Sequence, residues 1–325
     1  RHSSFIRFGL NSHFLEKIMT AKILITGSSG LVGTSLIHRF LGQDVEVRKF
    51  DLNEKNQCKG DVRDPLKVRQ AVEGCDGIIH LAAVSRVIWG QRDPDLCWAT
   101  NVGGLNNLLE AIVGLERKPW VVFASSREVY GEPDVLPVDE TCALRPVNVY
   151  GRSKVEGERL IEVARAAGLR ASIVRLSNVY GSTADHADRV IPAFAKAAAT
   201  GDTLHLEGAG NTFDFTHIDD VSRGLLTLSK RLIDGGEAPP PIHFVGGVPT
   251  TLGELAELAI ELAASQSEIA HAAPRNFDVA QFFGNRSRAA ELLNWTPEVS
   301  LREGLARLIY DYRKECTASK QEIAS

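Results

Sequence analysis

The stretch from Ala21 to Gly33 constrains this chain more than any other. An apolar run, Ala21–Thr26 (AKILIT), passes straight into Gly27-Ser-Ser-Gly30-Leu31-Val32-Gly33, and a helical period follows over Leu31–Leu41. Glycines between a strand and a helix let the backbone turn sharply and bring the helix N-terminus against a pyrophosphate. The spacing is G-x-x-G-x-x-G, one residue wider than the commonest dinucleotide fingerprint. Gly27, Gly30, Leu31, Val32 and Gly33 are therefore candidate cofactor-binding residues. The second strand, Val45–Phe50, ends at Asp51, 18 residues after Gly33. A carboxylate there accepts from both hydroxyls of an adenosine ribose and repels a 2'-phosphate. NAD is expected over NADP, with Arg48 and Lys49 as the neighbours that argue the other way.

Further short apolar runs follow at Gly77–Leu81, Trp120–Ala124 and Ala171–Leu176, with helical stretches at Pro65–Val72, Asn101–Val113 and Val149–Ala167. Buried strands alternating with helices call for a parallel sheet covered on both faces, and right-handed crossovers make it doubly wound, a Rossmann arrangement. After about Tyr180 the pattern mixes helices, loops and short strands. Thr251 ahead of Glu254 suggests a capping box, Leu301–Tyr310 repeats a helical period, and Pro241–Val245 reads as another core strand. The expected organisation is a cofactor domain over residues 19–180, with later returns near 214–246, and a smaller mixed α/β substrate lobe over residues 181–325.

The chain has 325 residues, which suits one large or two modest domains. With 44% hydrophobic residues it is no disordered chain, and a net charge of -4 leaves no electrostatic footprint for nucleic acid. No run of about 18 apolar residues is present, so no membrane span is expected. The five cysteines are scattered, without the paired spacing of a disulfide framework or a metal site. Residues 1–18 carry no acid before Glu16, and Met19 is the chain's single methionine. They are read as a leader or appended residues ahead of a start at Met19, and the protein is expected in the cytoplasm.

Tyr150-Gly-Arg-Ser-Lys154 opens a helical stretch, and a spacing of four puts Tyr150 and Lys154 on one face. A cation beside a phenol favours the phenolate, and a positive nicotinamide ring acts the same way. Lowering a tyrosine from about 10 to near 7 takes about 4 kcal/mol of differential stabilisation. A tyrosine so tuned is a general base for a hydroxyl proton. Ser126 leaves the C-terminal end of the fourth strand, where an open parallel sheet binds its ligands. It can hydrogen-bond the substrate oxygen that Tyr150 deprotonates.

In these motifs the chain resembles the extended short-chain dehydrogenase/reductase family, in its nucleotide-sugar epimerase/dehydratase branch, from about Lys22 to Tyr310. The resemblance implies that Asp61 and Val62, in Gly60-Asp61-Val62, hold the adenine. It places Leu81, Ala82 and Ala83 beside the cofactor and makes Asn101 a site-organising asparagine that kinks its helix. For the nucleotide sugar it implies Ser85, Asn178, Arg189, Val190, Phe194, Leu204 and His205, with Arg275 on the diphosphate. A homodimer packed through Asn101–Val113 and Val149–Ala167 is implied as well.

Two positions depart from the family pattern. Phe213, in Asn211-Thr-Phe213-Asp214, stands where the family often has an arginine that reaches the substrate phosphate. Arg127 stands where resembling sugar 4,6-dehydratases carry the aspartate that protonates a departing hydroxyl, and arginine is no such acid. Glu128 sits where those enzymes place an extra base. The expected activity is an NAD-dependent nucleotide-sugar 4-epimerase acting on a UDP-hexose or UDP-uronate. The alternatives are a UDP-glucuronate decarboxylase, in which Arg127 recognises the carboxylate, and a 4,6-dehydratase. A catalytically silent NAD-binding regulator is the alternative of another class. Arg127 and Glu128 also have plain readings, as a solvated loop residue and a loop hydrogen bond.

Overall fold

The computed structural model describes residues 20–55, 59–273 and 279–324, with side chains to residue 318; the expected leader over residues 1–18 and Arg275 lie outside the described residues. β1 (Ala21–Thr26) leads through the glycine loop into α1 (Leu31–Phe40), then β2 (Val45–Phe50), α2 (Pro65–Val72) and β3 (Gly77–His80). The start of α2 is set by Asp64, which accepts from the amides of Leu66 and Lys67, and by Pro65 in the first turn. Next come α3 (Val87–Arg92), α4 (Pro94–Trp98), a π-helical turn over Ala99–Gly103, and α5 (Gly104–Val113). β4 (Trp120–Ser126) ends in a 3-10 turn at Arg127–Val129, and α6 (Val149–Ala166) leads to β5 (Ala171–Leu176).

Beyond these lie β6 (Asn178–Tyr180), α7 (Val190–Thr200), β7 (Leu204–Glu207), β8 (Thr212–Phe213), β9 (Phe215–His217), α8 (Ile218–Ile233) and β10 (Ile242–Phe244). The chain closes with β11 (Thr250–Thr251), α9 (Leu252–Ala263), β12 (Ile269–Ala272), β13 (Gln281–Phe282), α10 (Ser287–Leu293) and α11 (Leu301–Ala324). The capping box at the head of α9 is formed by Thr251 and Glu254, as their spacing predicts.

Six strands make the main sheet in the order β10-β5-β4-β3-β1-β2, every neighbouring pair parallel. Successive β1 side chains enter opposite cores. Ile23 and Ile25 pack with Leu36 and Phe40 of α1 and Leu225 and Leu228 of α8, whereas Leu24 packs with Val68 of α2 and Leu105 and Leu108 of α5. This is the doubly wound α/β fold. The chain winds outward from β1 to β2, then returns to β3 on the other side of β1. That reversal opens a crevice beyond the strand ends, the place where such sheets take ligands. A separate core, built from α7, α9 and α11 with β7 and β13, includes Phe194, Leu204, Leu255, Phe282 and Leu305. Among the described residues no helix is long and apolar enough to cross a membrane.

Two elements differ from their sequence pattern. The helix expected over Asn101–Val113 begins with the π-turn, and α11 runs on to Ala324 rather than stopping at Tyr310. The π-turn carries Asn101, whose side-chain amide bonds the Val84 backbone and Ser153. The longer α11 is polar past Tyr312, so it lacks the apolar period that marks a helix in sequence.

Candidate active site

The crevice is a cleft of about 760 Å³ whose walls come from the ends of β1, β3 and β4, from α6 and from the 184–192 segment. Gly27, Gly30, Leu31, Val32 and Gly33 form its floor at the head of α1. No side chain caps that helix at Gly30 and no acid sits in its first turn, so its first amides face the cleft with their positive end open. Gly27 has φ +73, and a Cβ there would stand 2.7 Å from the Ala82 amide. A Cβ on Gly33 would stand 2.3 Å from the Gly27 carbonyl oxygen and 2.8 Å from Ser28 Cα. The strand end, the loop and the helix are thus in backbone contact, which leaves the space above them free for a pyrophosphate. Gly33→Ala should therefore cost about 1–3 kcal/mol of stability through overpacking, and weaken NAD binding at least about tenfold by pushing the loop outward. Thermal melts with and without NAD, and a calorimetric titration, measure both.

Asp51 lies beside the glycine loop, its carboxylate accepting from the Ser29 amide at 3.2 Å and the Asn53 amide at 2.9 Å. Arg48 and Lys49 are turned to other partners. Arg48 donates to the Ala71 and Glu73 carbonyls at the end of α2, at 2.7 Å each, and Lys49 lies 3.9 Å from Glu54. Neither cation is set out to offset the charge of Asp51 toward a 2'-phosphate. Asp61 and Val62 line the same end, with Asp61 paired to Arg63. The open helix end, the glycine cradle and the carboxylate fit an NAD molecule.

At the other end, Leu81, Ala82, Ala83 and Ser85 line the wall that leaves β3. Asn101 is buried behind them. Its Oδ1 accepts from the Val84 amide at 2.8 Å, and its Nδ2 donates to the Val84 carbonyl at 3.2 Å and the Ser153 hydroxyl at 2.9 Å. It ties the β3 exit to α6 without touching the cleft. Tyr150, Lys154 and Ser126 all line the cleft. Burial pushes the Tyr150 phenol up to about 12, opposed by a hydrogen bond with Ser126 and by the charge of Arg189. Burial brings the Lys154 ammonium down to about 8. Lys154 donates to the Ala124 carbonyl at 2.8 Å, and its Nζ stands 5.8 Å from the centre of the Tyr150 ring. The protein alone thus holds this tyrosine high, because desolvation outweighs the nearby charges.

Arg127, Glu128, Asn178, Arg189 and Val190 also line the cleft. Phe194 and Leu204 are instead buried in the second core, and His205 is exposed on β7; none of the three reaches the cleft wall. On β7 the cleft is reached by Glu207 rather than by Leu204 or His205. Further side chains complete the surroundings of the site. Arg86 is paired with Asp188 across the mouth, Trp89 packs edge-on against His186, and Asn148 caps α6 while donating to Glu128. Asn148 carried a signal of its own, as an asparagine one residue ahead of a helix start.

A family model described as the NAD dependent epimerase/dehydratase family matches residues 23–239. UDP-glucuronic acid decarboxylase 6 of Arabidopsis thaliana is 30% identical, over 93% of this chain and 91% of that protein. UDP-glucose 4-epimerase of Mycolicibacterium smegmatis is 29% identical, over 90% of this chain and 99% of that protein. In structure the chain is similar to MoeE5 in complex with UDP-glucuronic acid and NAD, with a TM-score of 0.83, 26% identity, and coverage of 91% and 100% of the two chains.

Proposed function

This chain belongs to the NAD dependent epimerase/dehydratase family, and on that premise we propose that it is a nucleotide-sugar 4-epimerase acting on a UDP-hexose or UDP-uronate. The observation that carries the reading is the group of Tyr150, Ser126 and Lys154 on one wall of the cleft that the glycine loop opens. Bound NAD supplies reversible hydride acceptance at C4 of the sugar. Tyr150 takes the proton of the 4-hydroxyl, and Ser126 hydrogen-bonds the same oxygen as it becomes a carbonyl. Lys154 keeps a positive charge beside the phenol. The 4-keto sugar then reorients so that its opposite face would take back the hydride at C4, and Tyr150 returns the proton to the C4 oxygen, which completes the inversion. Residues 19–180, with the returns near 214–246, are assigned to the cofactor and residues 181–325 mainly to the nucleotide sugar. Substrate contacts are assigned to Ser85, Asn178, Arg189 and Val190, and diphosphate binding to Arg275.

Arg127 supports epimerisation over dehydration, since it cannot protonate a departing hydroxyl. UDP-glucuronate decarboxylation is the second reading, supported by the likeness to the Arabidopsis decarboxylase and by an arginine in the cleft wall. The proposed assembly is a homodimer through α5 and α6, on which Val113 and Val163 stand 74% and 57% exposed. Its proposed setting is the cytoplasm, where free thiols such as buried Cys75 and Cys97 persist. Proton NMR of the anomeric region tests the activity, with the protein, NAD and either UDP-glucose, UDP-N-acetylglucosamine or UDP-glucuronate. A new 4-epimer with its carbon count unchanged is expected. A UDP-pentose from UDP-glucuronate would replace the epimerase with the decarboxylase.

A further inference from the structure

We propose that Arg127 is a positioning residue that decides the fate of the 4-keto sugar by holding the Glu128 carboxylate out of use as a base. The inference rests on the epimerase reading and deepens it. Glu128 lines the cleft with Ser126 and Tyr150, and its charge is felt at the Tyr150 phenol, which it pushes up. It is therefore the spare carboxylate beside the carbon that Tyr150 serves. Both of its oxygens are occupied. Oε1 is ion-paired with Arg127 Nη2 at 2.8 Å, and Oε2 accepts from Asn148 Nδ2 at 2.7 Å. The two side chains are 12% and 7% exposed, so water competes weakly for this pair.

The guanidinium is held from the other side as well. Its carbon stands 4.5 Å over the Phe213 ring and 5.9 Å from the Phe282 ring. The two departures from the family pattern, Arg127 and Phe213, are thus a single unit. A flat ring at 213 gives Arg127 a shelf from which its fork reaches Glu128, whereas an arginine at 213 would set two cations against each other.

The chemistry explains why such a clamp matters. Once C4 is a ketone, the proton on C5 is acidic, because its electron pair can pass into the enolate of the carbonyl. A free carboxylate would take that proton. The enolate would then either recover a proton from solvent at C5 or expel the C6 hydroxyl, which leaves as water after protonation by solvent. A carboxylate paired with a cation on one oxygen and accepting a hydrogen bond on the other is fixed in place with both oxygens engaged. With Glu128 clamped, the 4-keto sugar has only reduction left to it.

The test follows the C5 proton. Wild type, Arg127→Ser and the double variant Arg127→Ser/Glu128→Gln are each given NAD and UDP-glucose in deuterium oxide, and the recovered sugar is read by proton NMR and mass. Wild type should reach the epimer mixture without deuterium at C5. Arg127→Ser should incorporate deuterium at C5 at least about tenfold faster relative to epimerisation, and the double variant should return to the wild-type ratio. Phe213→Arg, which dislodges Arg127 without removing it, should show the same gain, and it carries the test if Arg127→Ser does not fold. Epimer formation by either single variant with no deuterium at C5, or a double variant that exchanges as fast as Arg127→Ser, overturns the clamp alone. Absence of any epimer from wild type overturns the epimerase reading, and the clamp with it.

Discussion

Replacing Tyr150 by phenylalanine is expected to lower turnover by about 10³-fold, within the range of about 10²–10⁴ for a positioned general base. That loss corresponds to about 4 kcal/mol in the barrier, at about 1.36 kcal/mol per tenfold. Phenylalanine keeps the buried ring and removes only the hydroxyl, so folding and NAD binding should survive. Calorimetric titration with NAD would check binding, and the NMR assay would check turnover. A residual rate within tenfold of wild type would remove Tyr150 from the mechanism.

The pH dependence gives the same residue a second test. The phenolate is the competent base, so turnover should rise with pH through the apparent pKa of Tyr150 and level off above it. In the protein alone burial holds that group at about 12, where about one molecule in 10⁵ would be ionised at pH 7. The downward pull must come with the bound, positively charged cofactor and from Lys154. Ser126→Ala, which removes the hydrogen bond that pulls the phenol down, should therefore move the acidic limb to higher pH, and Lys154→Met should move it the same way by less.

How much of this was legible beforehand depends on whether the determinants are local. The limits of Val45–Phe50, Pro65–Val72 and Ala171–Leu176 could be read because each apolar run is closed by its own neighbours, as Asp64 closes the start of α2. β4 runs two residues past its apolar run. Ser125 and Ser126 look like loop residues, yet they pair in the sheet with Arg175 and Leu176. The glycine loop was legible for a similar reason, since close backbone approach is demanded within seven residues of chain, Gly27 to Gly33. The second lobe was less so. Whether Phe194, Leu204 or His205 faces the cleft depends on how α7 and β7 roll against α9 and α11, and no local pattern encodes that. The meeting of Arg127 with Phe213, 86 positions apart, is equally invisible to spacing.

The same holds for the buried ion pair behind the site, whose loss is the other large expected effect. Arg175 on β5 and Glu158 on α6 are both 5% exposed, and they meet through Nε at 2.9 Å and Nη2 at 2.7 Å. Glu158 also accepts from Ser125 at 2.5 Å, directly behind Ser126. Arg175 donates on to the Tyr130 hydroxyl at 2.7 Å and the Glu140 carbonyl at 3.0 Å. His243 Nδ1 faces the Asn285 carbonyl at 3.0 Å and so carries the proton, leaving Nε2 to accept from Tyr130 at 2.6 Å. Burial keeps that imidazole neutral, with its pKa down at about 3. Glu158 is thus the direct partner of Arg175, while the neighbouring Glu140 carboxylate lies 3.6 Å from Arg288, and taking away Arg175 or Glu158 leaves the other buried without its partner. Arg175→Leu and Glu158→Leu should each cost about 3–5 kcal/mol, read from urea unfolding. The double variant should cost well under their sum, because no lone charge remains. Because Ser125 hangs on Glu158, the single variants should also lower kcat more than they raise KM by loosening Ser126. Equal losses from the singles and the double would fit one cooperative network, whereas single losses within 1 kcal/mol would mean that the strand end is held by its ladder alone.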